Sequence, residues 1–238
     1  MIQFYAPDIV DNPVLPENDS GHCVRVLRMK NGDMIDVVDG RGTRYKCRIS
    51  DAHPRHTMIE IVEQIDQPPV WSFNITVAVA PTKSMERMEW LVEKLTEIGI
   101  NRFIPVRCQR SERKEIKRDR LEKIAVSAMK QSLKSVLPEI VPMTPLRDIL
   151  TDIRYDDYQR YVAYCDPTIP RKLMAREFNP GQNTLVLIGP EGDFAPEEIK
   201  ASFDAGFIPI TLGDNRLRTE TAALVAVDTC HIVSQMQA

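Results

Sequence analysis

The chain has 238 residues, enough for one large domain or two small ones, with hydrophobic (43%) and charged (27%) fractions ordinary for a globular protein. No apolar run approaches the roughly 20 residues that span a bilayer, and the amino terminus has neither a basic segment nor a signal-like apolar core, so a cytoplasmic protein without a membrane partner is expected. The net charge of −3 hides an asymmetry: residues 101 to 134 carry eleven Lys or Arg against four Asp or Glu, a local +7 that leaves −10 elsewhere and points to one polyanionic contact.

The first 67 residues read as all-β, with short β-branched runs between turn residues, the pattern of a small barrel or curled sheet. Predicted strands cover residues 23–29, 34–38, 43–50 and 57–63. In the first of these Arg25 and Arg28 alternate with Val24, Val26 and Leu27, so that one face can meet phosphates. Gln67, Pro68 and Pro69 mark a boundary, because two prolines end a strand and stiffen the passage. Five widely spaced cysteines without a C-x-x-C pair predict reduced thiols. His53 and His56 flank a proline in a turn and, with Cys47, read as a polar loop rather than a metal site.

From residue 73 the pattern becomes α/β. Residues 75–80 are a near-continuous apolar run, as in a strand covered on both faces. A helix follows with Met85, Met88, Leu91, Val92, Leu95 and Ile98 on one face, closed by Gly99. Next come a strand at 103–106, a helix from about Lys117 with its basic residues outward, and strands at 161–165 and 184–188. Pro196, Glu197 and Glu198 open a helix that runs to residue 205, and a strand follows at 207–212. The last helix, 220–236, is apolar nearly all round, which predicts a second covering surface with Leu224 and Val227 in or near a seam between two subunits.

Gly189 and Gly192 follow one predicted strand and Gly213 another, where glycine lets the backbone turn and approach a ligand without a Cβ. Neither G-x-G-x-x-G nor G-x-x-x-x-G-K-[ST] occurs, so no Rossmann dinucleotide site or P-loop is supported. Two such turns side by side nonetheless form a crevice at carboxyl ends of strands, with Arg216, Arg218, Glu191 and Glu220 around it.

At these residues the chain resembles a known family. Leu187-Ile-Gly-Pro-Glu-Gly192 with Phe194 and Pro196-Glu-Glu-Ile199, and Leu212-Gly213 with Leu217-Arg-Thr-Glu-Thr-Ala222, look like the signature motifs of bacterial small-subunit ribosomal RNA uridine-N3 methyltransferases. That family lies in the SPOUT class of trefoil-knotted enzymes. His22, Arg28, Lys94, Glu97, Arg107, Arg110-Ser111-Glu112 and Gln131-Ser132 also match, so the likeness covers almost the whole chain. It implies a PUA-like β-barrel RNA-binding domain over residues 1–70 ahead of a knotted α/β methyltransferase domain over 73–238. It further implies a homodimer, S-adenosylmethionine as cofactor, no metal, and 16S ribosomal RNA in the assembled small subunit as partner. Carried over by residue, Leu187, Gly189, Pro190, Gly192, Leu212, Gly213, Leu217, Arg218, Thr219 and Ala222 line the cofactor pocket. The knot rests on the resemblance alone, since chain-topology rules disfavour it. The chain departs from the family in having Asp193 where Gly is usual and Ala195 where a Ser caps the next helix.

The expected chemistry follows from the target. Uridine N3 carries a proton at neutral pH, so the protein must orient, deprotonate and stabilise. Arg218 is the expected cation beside the developing uracil anion, and Glu191 or Glu220 the proton acceptor. Glu220 alternatively caps the following helix or pairs with Arg216, and Phe194 either stacks on the base or fills the core. Arg25, Arg28, Arg107, Arg110, Arg113 and Lys114 are the expected RNA contacts. The alternatives are a ribose 2'-O methyltransferase of the same class and a non-catalytic ribosome-assembly RNA-binding protein.

Overall fold

The computed structural model describes residues 2–166 and 168–237, and the chain divides into two compact units. One comprises Met1–Val70 with Val126–Leu137, the other Trp71–Ala125 with Pro138–Ala238.

In the first unit β1 (Gln3–Tyr5), β2 (Met34–Val38), β3 (Thr43–Asp51) and β4 (Met58–Asp66) pair in sequence order. The pair β1–β2 is parallel and the others are antiparallel. Alternation along β3 sends Tyr45, Cys47 and Ile49 into a core shared with Phe4, Val37 and Ile59. The strand expected over residues 23–29 does not form. Instead α1 (Glu17–Gly21) runs on through His22–Val26 as a π-helical turn, in which the Leu27 amide donates to the His22 carbonyl at 3.0 Å. Ser20, Cys23, Val24 and Leu27 recur at helical spacing and turn inward, whereas Val26 is 64% exposed. A helical face satisfies these apolar positions better than two-residue alternation does. Val126–Leu137 ties into this unit where Gln3 Nε2 donates to the Lys134 carbonyl (2.7 Å) and Lys130 Nζ meets Asp19 Oδ1 (2.6 Å).

After β4 come β5 (Ile75–Val79), α2 (Met85–Ile98), β6 (Arg102–Arg107), α3 (Arg118–Gln131, whose residues from Val126 belong to the first unit), β7 (Glu139–Ile140), β8 (Thr144–Pro145) and α4 (Leu146–Leu150). Then come β9 (Gln159–Ala163), β10 (Lys172–Leu173), α5 (Met174–Glu177), β11 (Thr184–Ile188), α6 (Pro196–Asp204), β12 (Ile208–Thr211) and α7 (Thr219–Gln237). The sheet order is β10-β12-β9-β11-β5-β6-β7, parallel throughout, with β8 also beside β6. Every residue of β5 and β11 is buried, which is why both read as unbroken apolar runs. From β11 the chain passes through α6 to β12, on the far side of β9, and α7 then returns to pack on α2, β5 and β11.

This return covers the tail helix from within the chain. Ala223, Ala226, Val227, Cys230 and Val233 are buried, and Leu224 is half-buried. Val227 is therefore a core residue of the single chain rather than one awaiting a partner; the exposed apolar groups of α7 are Ile232 and Met236. Among the described residues no helix is long and apolar enough to cross a membrane.

Candidate active site

The carboxyl ends of β9, β11 and β12 open into one cleft of about 820 Å³, within the range typical of small-molecule sites. Tyr164, Cys165 and Asp166 come from the loop after β9, Asp193 and Phe194 from the loop after β11, and Leu212 to Leu217 from the loop after β12. Ala222, in the first turns of α7, also lines it. The walls carry Arg110, Arg171 and Arg216 against Asp166, Asp193 and Asp214, so groups of both signs share the cavity with the aliphatic Ile169, Ile210, Leu212 and Leu217.

Of the expected cofactor residues, Leu212, Gly213, Leu217 and Ala222 line this cleft. Leu187, Gly189 and Pro190 are buried behind it, Thr219 is buried at the start of α7, and Gly192 and Arg218 are exposed. The Thr219 hydroxyl donates to the Gly189 carbonyl at 3.2 Å, locking the β11 loop to α7. A Cβ at Gly189 would lie 2.8 Å from the Phe194 ring, itself 1% exposed, so Phe194 packs the loop and offers no face to a base. Gly213 has φ +128° with open space around it, so backbone conformation rather than crowding selects glycine there. Gly192 has neither demand; the left-handed residue of that loop is Asp193, at φ 60°.

Asp193 offsets its strained backbone by stapling two loops. Its Oδ1 accepts from the Phe194 amide (2.8 Å) and its Oδ2 from the Cys165 amide (3.3 Å). The absent Ser cap at 195 is met differently. Glu198 Oε2 accepts from the Ala195 amide at 2.9 Å, which is half of a capping box, while Oε1 takes the Gln109 amide at 2.7 Å. Sequence reasoning missed Asp193 as a loop staple, and the residues Tyr164, Cys165, Asp166 and Arg171 altogether. The sequence places Tyr164 and Cys165 inside a strand over 161–165, whereas β9 ends at Ala163 and both belong to the loop beyond it.

The two candidate proton acceptors differ sharply. Glu191 is exposed and its Oε1 accepts from the Lys83 amide at 3.2 Å. Glu220 is 7% exposed; its Oε1 lies 3.7 Å from Arg87 Nε, and its Oε2 has no partner among the described residues. The partner expected for it, Arg216, faces the cleft instead. Arg218 makes no ion pair among the described residues.

The expected RNA contacts fall into distinct settings. Arg110 lines the cleft and its Nη1 donates to the Gly192 carbonyl at 3.1 Å. Arg113 holds the β5–α2 turn, donating to the Thr82 and Lys83 carbonyls. Arg107 and Lys114 are exposed beside a separate cleft with Arg147. In the first unit Arg25 and Arg28 are exposed.

Four cysteines are buried and Cys165 is exposed. Burial pushes the Cys47, Cys108 and Cys230 thiols up to about 12 and raises that of Cys23. One thiol per chain, Cys165, is therefore expected to react with Ellman's reagent in the native protein, and more slowly when a ligand fills the cleft. Rapid titration of two or more thiols, or no slowing, would contradict this placement.

An RNA methyltransferase domain model matches residues 69–231, and an RNA methyltransferase PUA domain model matches residues 15–61. The ribosomal RNA small subunit methyltransferase E of Bacillus subtilis is 27% identical over 218 residues, 87% of this chain and 84% of that protein. That of Aquifex aeolicus is 29% identical over 224 residues, 90% and 91% of the two chains. A probable rRNA-methyltransferase from Porphyromonas gingivalis is similar in structure at a TM-score of 0.95, with 42% identity over 100% of both chains. The ribosomal RNA small subunit methyltransferase E of Neisseria gonorrhoeae, solved bound to S-adenosyl methionine, is similar at a TM-score of 0.82, with 25% identity over 98% of each chain.

Proposed function

This chain belongs to the ribosomal RNA small subunit methyltransferase E family, with a PUA-like domain ahead of a knotted SPOUT methyltransferase domain, and from that premise we propose that it transfers the methyl group of S-adenosylmethionine to N3 of one uridine in 16S ribosomal RNA. The observation that carries this reading is the strand-end cleft. Its three arginines and three aspartates suit a zwitterionic, cationic amino-acid moiety, and Ile169, Ile210, Leu212 and Leu217 offer apolar surface to an adenine. Leu212, Gly213, Leu217 and Ala222 line the cofactor, while Leu187, Gly189, Pro190 and Thr219 hold the loops that shape its site. The sulfonium supplies an activated methyl group, so the chain's own work is to orient the base, take the N3 proton and stabilise the anion. Methyl transfer from labelled cofactor to small ribosomal subunits tests the reading; subunits left unlabelled would refute it.

The assembled small subunit meets the protein through exposed cations. Arg107 and Lys114 are the contacts in the second unit whose side chains hold no loop among the described residues, and Arg25 and Arg28 serve the first. Arg107→Ala with Lys114→Ala is expected to flatten the dependence of RNA affinity on log salt by about two phosphate contacts, with cofactor affinity unchanged. An unaltered slope would remove these residues from the interface. The protein acts as a homodimer whose seam takes the exposed Ile232 and Met236 of α7.

A further inference from the structure

Between α2 and α7 the chain leaves a hydrogen-bonding demand unmet. Glu220 is more than nine-tenths buried, yet its Oε2 has no donor among the described residues. Glu220 and Arg87 line an opening of about 320 Å³ together with Glu86, Trp90 and Thr221. A buried carboxylate oxygen is costly to leave unpaired unless a ligand brings the donor. The indole of Trp90, meanwhile, is 41% exposed.

An acceptor oxygen beside a guanidinium complements one particular edge. Uracil offers an N3–H donor flanked by the carbonyl acceptors O2 and O4, and its flat face stacks on an indole. The opening also adjoins the cofactor loops through the chain itself. Glu220 follows Thr219, whose hydroxyl bonds the Gly189 carbonyl, and Ala222 two residues on lines the cofactor cleft.

The geometry points to this opening as the seat of the target uracil: Glu220 accepts the N3 proton, Arg87 positions Glu220 and donates to a flanking carbonyl, and Trp90 stacks on the ring. This rests on the uridine-N3 reading above and chooses between its two glutamates. In the step, the N3–H bond breaks and the proton passes to Glu220. N3 then bonds the methyl carbon, and the electron pair of the methyl–sulfur bond leaves with sulfur as a neutral thioether. Water afterwards takes the proton from Glu220.

The test uses the full chain with S-adenosylmethionine and small subunits from cells lacking the enzyme. Glu220→Gln is expected to bind cofactor by calorimetry within about twofold of the parent while its single-turnover rate falls about 100-fold or more, as for loss of a general base. Trp90→Ala is expected to raise KM for subunits about tenfold, the scale of one lost base–aromatic stack, with cofactor affinity intact. Arg87→Lys, keeping charge but not the fork, lowers the rate and leaves KM within about threefold.

Near-parental turnover of Glu220→Gln, or an unchanged KM for Trp90→Ala, would overturn the assignment. So would loss of cofactor binding in Glu220→Gln, which would make the pair a prop of the cofactor cleft. If a second copy of the chain fills the opening, Trp90→Ala shifts sedimentation toward monomer, and the assignment is again wrong. Failure of the parent enzyme to form N3-methyluridine is a separate result, and it strikes the underlying reading instead.

Discussion

Arg218→Lys is expected to lower methyl transfer about 100-fold, close to 2.7 kcal/mol, while cofactor affinity stays within about twofold. Arg218 is exposed at the start of α7, directly after Leu217, which lines the strand-end cleft. The obvious structural role, an ion pair with a neighbouring glutamate, is not what the fold uses. Glu220 has Arg87 at 3.7 Å, and Glu191 takes the Lys83 amide. A guanidinium without an ion-pair partner among the described residues is free to meet the O2 or O4 edge of a uracil anion with two donors in fixed geometry, which an ammonium cannot reproduce. Single-turnover kinetics beside calorimetric titration of cofactor separate the outcomes. Near-normal turnover of the lysine variant would exclude direct base recognition by Arg218.

Gly99→Ala is expected to destabilise the second unit by about 3 kcal/mol or more, through strained backbone and a clash together. Gly99 closes α2 at φ +126°, a conformation that L side chains rarely adopt. Its added Cβ would stand 2.3 Å from the Trp71 indole. That ring cannot simply swing away. Its Nε1 donates to Asn101 Oδ1 at 3.0 Å, and it meets the His231 ring edge-on at 5.0 Å. His231 Nε2 in turn donates to the Gly99 carbonyl at 2.7 Å, and Asn101 Oδ1 also takes the Ile75 amide that begins β5. Displacing the indole therefore disturbs the end of α2, the start of β5 and the middle of α7 at once. Urea denaturation should show a lower midpoint at an unchanged slope. A loss below about 1 kcal/mol would mean that this cluster is looser than its geometry.

The second unit was largely legible because its strands are covered on both faces and its helices on one. Such environments leave continuous apolar runs for β5 and β11 and the stripe from Met88 to Leu95 on α2. Gly99 carried its own signal, as a helix-closing glycine. The misread stretch at 23–29 is short, and its apolar residues fit strand alternation in isolation. Only the burial of Ser20, one turn upstream, reveals the helical face. Val126–Leu137 joins the first unit through the carbonyls of residues 134 and 135 and the Lys130–Asp19 ion pair, and pairings between residues this far apart in the chain leave no trace in local sequence pattern.

At the site, the glycine turns were visible because the backbone of Gly213 and the packing of Phe194 on Gly189 restrict residue type there. Arg87 was not, because it sits on a helix that reads as a solvated face, and its partner Glu220 arrives 133 residues later in the chain. Asp193 misled in a different way. It departs from the family's Gly, yet aspartate adopts the left-handed conformation there and offsets the strain with two hydrogen bonds from backbone amides.

The central claim is the identity of the methylated atom, and nucleoside analysis of the product tests it most directly. Small subunits from cells lacking this protein are incubated with it and labelled S-adenosylmethionine, and the 16S RNA is digested and separated. The account predicts label in N3-methyluridine alone. Label in a 2'-O-methylated nucleoside, or bound cofactor with no labelled nucleoside, would contradict it.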